Sequence, residues 1–414
     1  MDWSRLDLGV GIIALGSLDQ VWSGIEDLVD VVEVEPQTLW PSRVRGGLHL
    51  APEPLAWLRA CGRPLICHGV GFPVGGTTAP DPDGVALSAA SMKALGAVHW
   101  SEHLAFNAAG DDYAGFLLPP VQTPAAVEAA IRHIDEYRRF DDRPFLVETP
   151  TNYLQPVDGD LGDGEYVAAI ADGADCGILL DLHNVWTNER NGRQSVDEFI
   201  AALPLERVWE VHLAGGFETN GYYLDAHVGP IDSELLSLAA RIVPRLPRLR
   251  ALIYEAIPIS LAAQGAAGLH DVLASMHQIA ERAPQPAPVA SPPLAPRPAA
   301  SSAAGRATTG DTVSTAAREA DLLAFTTRKS PTMATDDPGA RLIRSLTDQA
   351  RLSLLVRDHE ADLRRLIAVL GPDAAEAELM DFLVASGASI WRDEQSRAFT
   401  EWLAARSDLC ELMS

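Results

Sequence analysis

Eight short apolar runs, separated by amphipathic stretches of roughly 10 to 17 residues, set the pattern of the first two thirds of the chain. The runs read LGVGIIA, VVEVE, LICHG, AVHWSEH, FLVET, GILLDLH, WEVHLA and LIYEA. They are apolar on both faces, as strands covered on both sides must be, and their alternation with helices predicts a parallel sheet built from crossover units. Eight such units in about 280 residues match the count and size of a (β/α)8 barrel of the TIM type, an α/β fold. An open doubly wound sheet is the alternative. It should carry a glycine-rich phosphate turn after its first strand, and GIIALGSLD is no GxGxxG.

The pattern changes near Arg282. The stretch APQPAPVASPPLAPRPAASSAAGRATTG has too little apolar periodicity to fold and enough proline to stay extended, which predicts a disordered Pro/Ala/Ser-rich linker over 283–335. From 336 to 414, Leu, Ile, Val and Trp recur at three- and four-residue intervals, which predicts a small all-α domain. The catalytic barrel is thus expected over 1–282.

Composition narrows the function. At 414 residues and 47% hydrophobic content the chain can bury a large core. No apolar stretch reaches the ~18 residues of a bilayer span, and Asp2 and Arg5 follow Met1 where a secretory signal would differ, so a cytoplasmic protein without membrane contacts is expected. A net charge of −25 repels phosphate backbones, which argues against nucleic-acid partners. Cys61, Cys67, Cys176 and Cys410 form no CxxC pair, and the first three lie in or beside apolar runs, so they read as buried thiols. Any metal would then have nitrogen and oxygen ligands.

The strand ends carry the chemistry. An active site in such a barrel is built at the C-terminal face from several strands. There the sequence places Glu33 and Glu35, His68, Glu102 and His103, Glu148, Asp181 with His183 and Asn184, His212, and Glu255; the loop after the seventh strand adds Asp225 and His227. So many carboxylates in one low-dielectric pocket are costly unless cations neutralise them. Imidazoles mixed with carboxylates suit iron, manganese or zinc, and this many donors exceed one coordination sphere, so two or three ions bridged by a carboxylate are expected. The plainer reading of any one of these residues is a satisfied core histidine, a helix cap or an ordinary rim acid.

Together the motifs CHGVGFPVGG, HWSEHLAF, LLDLHNVWTNERNG, EVHLAGG, LDAHVGPI and LIYEAIP resemble the multinuclear non-heme iron-dependent oxidative enzyme family, over about Leu6 to Ala280. The resemblance implies two or three irons in a mixed-valent Fe(II)/Fe(III) centre, dioxygen as co-substrate, and oxidation of cysteine or another residue in a ribosomally made precursor peptide. It also implies a separate leader-binding partner protein. Carried over by motif, the catalytic and ligating positions are His68, His103, Glu148, Asp181, His212, Asp225, His227 and Glu255, with His183 and Asn184 as further candidate ligands. The chain departs from the family at Thr149 and Pro150, where relatives commonly carry Asn after the glutamate, and at His183, where many carry Asn. The alternatives are a divalent-metal barrel isomerase or endonuclease, and a non-catalytic metal-binding or scaffold protein. Nothing in the resemblance reaches the helical domain, which reads as a cap, a dimerisation element or a peptide-recognition module.

Overall fold

Runs such as Val31–Val34 and Gly177–Asp181 are wholly buried, and their Val, Ile and Leu side chains pack outward against helices while the alternate positions fill the interior of a barrel. The computed structural model describes residues 8–16, 18–40, 50–284, 314–389, 391–406 and 409. Its strands are β1 (Gly9–Ile13), β2 (Val31–Val34), β3 (Leu65–Gly69), β4 (Trp100–His103), β5 (Phe106–Ala109), β6 (Asp112–Leu118), β7 (Phe145–Glu148), β8 (Gly177–Asp181), β9 (Val208–Ala214), β10 (Gly216–Thr219), β11 (Tyr222–Asp225) and β12 (Ala251–Glu255). Eight of them close a parallel barrel in the order β1-β12-β9-β8-β7-β4-β3-β2, so the fold matches the expectation. Leu8, Val31, Ile66, Ala251 and Ile253 form a small apolar plug at the end where the strands begin. The opposite end is left for polar side chains.

Two antiparallel hairpins, β5–β6 and β10–β11, extend the loops after β4 and β9. Neither was foreseen, because both are short and only partly buried. Among the described cysteines, Cys67 and Cys176 are buried and Cys61 is partly so; Cys410 lies outside the described residues. Burial pushes the Cys176 thiol up to about 12, so it stays protonated. Among the described residues, no helix is long and apolar enough to cross a membrane.

The chain after the barrel is not arranged as expected. Thr315–Thr326, within the range assigned to a linker, is a helix capped by the Ser314 hydroxyl. Its Leu322, Leu323 and Phe325 are buried against Phe106, Ala114 and Leu118 of the first hairpin, together with Tyr153 and Leu224. The expected linker residues 285–313 lie outside the described residues. Proline content masked the helical signal: the segment TAAREADLLAFT begins only four residues beyond the Pro/Ala/Ser-rich tract. Glu319 is fully buried in this contact and accepts the Thr77 backbone N–H and hydroxyl. The helix Pro338–Leu370 continues the contact through Ala340 and Ile343, then pairs with Pro372–Ala385 and Arg392–Ala405 around Leu355, Phe382, Leu383 and Phe399. Trp391 stacks on Trp40 of the barrel, with ring centroids 5.6 Å apart.

At Gly339 the helix start meets the barrel so closely that a Cβ would lie 2.0 Å from the Tyr153 carbonyl oxygen. Backbone cannot yield as a flexible side chain would. Gly339→Ala should therefore push the helix off the 151–155 loop, and hydrogen exchange should show faster exchange in residues 338–350 while the barrel strands keep their protection.

Candidate metal centre

At the C-terminal ends of β3, β4, β7, β8, β9 and β12 the inward positions are His68, His103, Glu148, Asp181, His212 and Glu255. Their donor atoms converge in overlapping groups, each within the span of one cation: His68, His103 and Glu148; Glu148, Asp181, His212 and Glu255; and, one level deeper, Glu33, Glu210 and His212. Glu148 belongs to the first two. Its Oε2 lies 3.1 Å from His68 Nε2 and 2.8 Å from His103 Nε2. His212 Nδ1 lies 3.2 Å from Glu255 Oε2. The far nitrogens of two imidazoles are tied back: His68 Nδ1 meets the Ser101 hydroxyl at 2.8 Å, and His103 Nδ1 meets the Gly69 carbonyl at 2.9 Å. Those bonds turn both Nε2 atoms toward Glu148, the arrangement a metal-binding histidine needs.

A third corner forms beside these groups. Asp225, at the end of β11, has its Oδ1 2.8 Å from His227 Nε2 and 3.0 Å from His183 Nδ1, while His227 Nδ1 lies 3.4 Å from Glu255 Oε1. His227 adopts a φ of 54°, an uncommon conformation for a side chain of its size and one that clusters at functional sites. His103, Asp225 and His227 are 17%, 17% and 22% exposed, whereas His68 and His212 are fully buried, so the centre opens toward solvent along that side.

The donor set fits metal ions. His68 Nε2, Glu148 Oε2, Asp181 Oδ2 and His227 Nε2 are buried without a hydrogen-bond partner, while His68 Nε2 lies 3.1 Å from Glu148 Oε2 and His227 Nε2 lies 2.8 Å from Asp225 Oδ1. Leaving such groups unmatched costs roughly 1–3 kcal/mol each, and a cation among them removes the deficit. The electrostatics agree. Burial, reinforced by the charges of Glu148, Asp225 and Glu255, raises Asp181 well above the ordinary carboxyl range. Burial alone would also raise Glu148, but His103 and His68 outweigh it and hold the carboxylate charged. Burial lowers His103, yet Glu148 beside it prevails and carries the imidazole up to about 10. Without metal, a protonated His103 thus balances Glu148, while burial lowers His68 beside it.

The remaining candidates lie around this set. Asn184 spends its amide on the Thr149 carbonyl and on the Thr151 hydroxyl, which in turn reaches Asp225 Oδ2 at 3.2 Å. His183 offers Nδ1 to Asp225, while its Nε2 faces the Gly216 backbone. Asp181 also caps the helix Leu182–Arg190, accepting the Asn184 N–H at 2.8 Å. Glu102 does not join the centre. It points outward, where Tyr137 lies 3.3 Å away, because it is one residue out of step with His103. Glu35 lies at the mouth, where burial first and then Glu255 push its carboxyl to about 7. Three contributors went unforeseen: Ser101, His99 and Glu210. The signal was legible, since His99, Ser101 and His103 alternate in HWSEH, and Glu210 and His212 do so in EVH.

Residues 18–257 match the family described as RiPP precursor modification enzyme MbnB/TglH/ChrH, where RiPP denotes a ribosomally synthesised and post-translationally modified peptide. A UPF0276 protein of Chromobacterium violaceum is 29% identical over 219 residues, covering 52% of this chain and 79% of that protein. Another, of Anaeromyxobacter sp. (strain Fw109-5), is 31% identical over 224 residues, covering 53% and 79%. Among solved structures, a xylose isomerase domain protein from Planctomyces limnophilus covers 67% of this chain and 98% of its own at 13% identity, with a TM-score of 0.45, too slight a likeness to argue from. The family match spans more than half of the chain and contains every donor at the barrel mouth, and the protein belongs to the RiPP precursor modification enzymes of the MbnB/TglH/ChrH family.

Proposed function

We propose that this protein is an iron- and dioxygen-dependent oxidase that modifies a cysteine, or another residue, of a ribosomally made precursor peptide. The observation that carries the reading is the position of Glu148, shared between two adjacent donor groups, which makes a bridged pair of ions the natural occupant. In this reading His68, His103 and Glu148 hold one iron; Glu148, Asp181, His212 and Glu255 hold the next; and Asp225 with His227 hold a third. His183 and Asn184 steady Asp225, directly and through Thr151. Iron at these positions would supply Lewis acidity toward a substrate thiolate and the electrons that dioxygen chemistry requires.

The protein's own share is binding and placement. Ser101 and Gly69 fix the two imidazoles, and the fully buried walls keep water from the inner donors. The exposed flank at His103, Asp225 and His227 is where a side chain of the peptide would enter. Nearby, a cavity of about 340 Å³ runs between the first hairpin and the C-terminal helices, lined by Phe72, Phe106, Tyr113 and Trp391 with Asp111 and Glu394. Asn107 and Tyr113 hold its floor to the Gly71 carbonyl, three residues from His68. In this reading the helical module would contribute to peptide recognition through this cavity, beside a leader-binding partner protein.

The test is to supply iron-loaded protein with synthetic cysteine-containing peptides and to follow dioxygen and peptide mass together. Dioxygen consumption matched to a mass change in the peptide is expected. Equal modification by zinc- or manganese-loaded protein without air would instead favour the hydrolase or isomerase reading.

A further inference from the structure

Beneath the metal donors the barrel holds a second polar layer. Glu210 precedes His212 by two residues on β9, so both project inward. Glu33 reaches the same level from β2. Glu33 Oε2 lies 3.2 Å from His212 Nε2, and Glu210 Oε1 lies 3.5 Å from the same nitrogen. The other oxygen of Glu210 lies 2.8 Å from His99 Nε2. All four side chains are buried, Glu33, Glu210 and His212 completely. His212 is therefore gripped from both sides: Nδ1 faces Glu255 among the metal donors, and Nε2 faces a pair of carboxylates that nothing in the proposed chemistry yet uses.

A carboxylate beside the distal nitrogen of a ligating histidine does two things: it fixes which nitrogen carries the proton, and it makes the other a stronger donor. Two carboxylates within reach of one N–H strengthen that effect. They are tolerable at this depth only because His99 and the His212 N–H face them.

We propose that Glu33 and Glu210 are positioning residues for His212: they accept or face its Nε2–H, present Nδ1 to the metal, and raise its electron donation, with His99 anchoring Glu210. The assignment rests on His212 being a metal ligand, as the proposed function has it. Neither carboxylate touches metal or substrate. Their charge acts through the imidazole.

The experiment compares wild-type protein with Glu33→Gln and Glu210→Gln, which keep shape and remove charge. Cobalt(II) affinity is measured by competition with a chelator, and the midpoint potential is measured on iron-loaded protein. Glu33→Gln should weaken the ion at His212 by about 10- to 100-fold and shift the potential positive, because a less basic imidazole favours the ferrous state. Glu210→Gln should act in the same direction, less strongly at its longer distance; it carries the test if Glu33→Gln does not fold. Folded variants with wild-type affinity and potential would overturn the assignment. So would loss of one whole metal equivalent with the rest unchanged, since the pair would then hold an ion of its own. Wild-type protein that takes up no cobalt or iron would overturn the metal-centre reading, and this inference with it.

Discussion

Glu148→Ala should lower bound metal by about two equivalents and bring peptide oxidation below detection, because a bridging carboxylate serves two ions at once. Glu255 is the other carboxylate between two positions, its oxygens facing His212 and His227. Asp181, at the end of β8, belongs to one group only, and Asp225 lies with His227 at the third corner. Asp225→Ala is therefore the comparison: it should remove one equivalent and leave the His68–His103 position filled. Ser101→Ala removes the hydroxyl that meets the far nitrogen of His68 and the Cys67 carbonyl, and should weaken that ion by about 10- to 100-fold without emptying the centre. Stability should also respond in metal-free Glu148→Ala, since removing one partner from a buried ion pair costs roughly 3–5 kcal/mol. Here it leaves two imidazoles, with ring centroids 4.5 Å apart, facing each other without their carboxylate. Elemental analysis and a melting curve on the same sample separate the two effects. Loss of a single equivalent from Glu148→Ala would show that it does not bridge.

A chain ending at Ala283 should fail as an independent barrel. The helices after residue 314 cover Phe106, Leu118, Tyr153 and Leu224. Exposing side chains of this size costs ~1.5–3 kcal/mol each when fully uncovered. Even partial exposure of the four is on the order of 5 kcal/mol, which is comparable to the whole net stability of many domains. The cut also strands the Thr77 N–H that Glu319 accepts, and the Asp160 carboxylate that pairs with Arg318. The expected outcome is a melting temperature lower by about 10 °C or more, or an aggregated product, with metal uptake impaired as the first hairpin loosens. A truncated barrel that melts with the full chain would show that the packing seen at this face contributes little.

How much of this could be read from the chain follows from the physics of each signal. The eight barrel strands were legible because burial on both faces demands continuous Val, Ile and Leu, and no other element of that length does. Six inward donors were legible because strand ends in this architecture converge on one rim. Glu102 was misread for want of phase: adjacent residues in HWSEH point to opposite faces, and only the odd-numbered ones reach the interior. From the sequence His183 reads as part of a strand end, whereas the chain turns into a helix after Asp181, whose carboxylate caps that helix beside the other strand-end acids. The helix at Thr315–Thr326 was hidden by its neighbours, since composition averaged across a proline-rich tract conceals one amphipathic segment at its edge. Least legible was the contact between the helices and the hairpins. Periodicity identifies an apolar face but not the surface that will cover it.

The central claim is a centre of several metal ions sharing carboxylates. Its most direct test is anaerobic reconstitution with Fe(II), removal of loosely bound metal, and elemental analysis per chain. Two or three irons are predicted, falling to one or none in Glu148→Ala. Wild-type protein that retains at most one iron after full reconstitution would contradict the account.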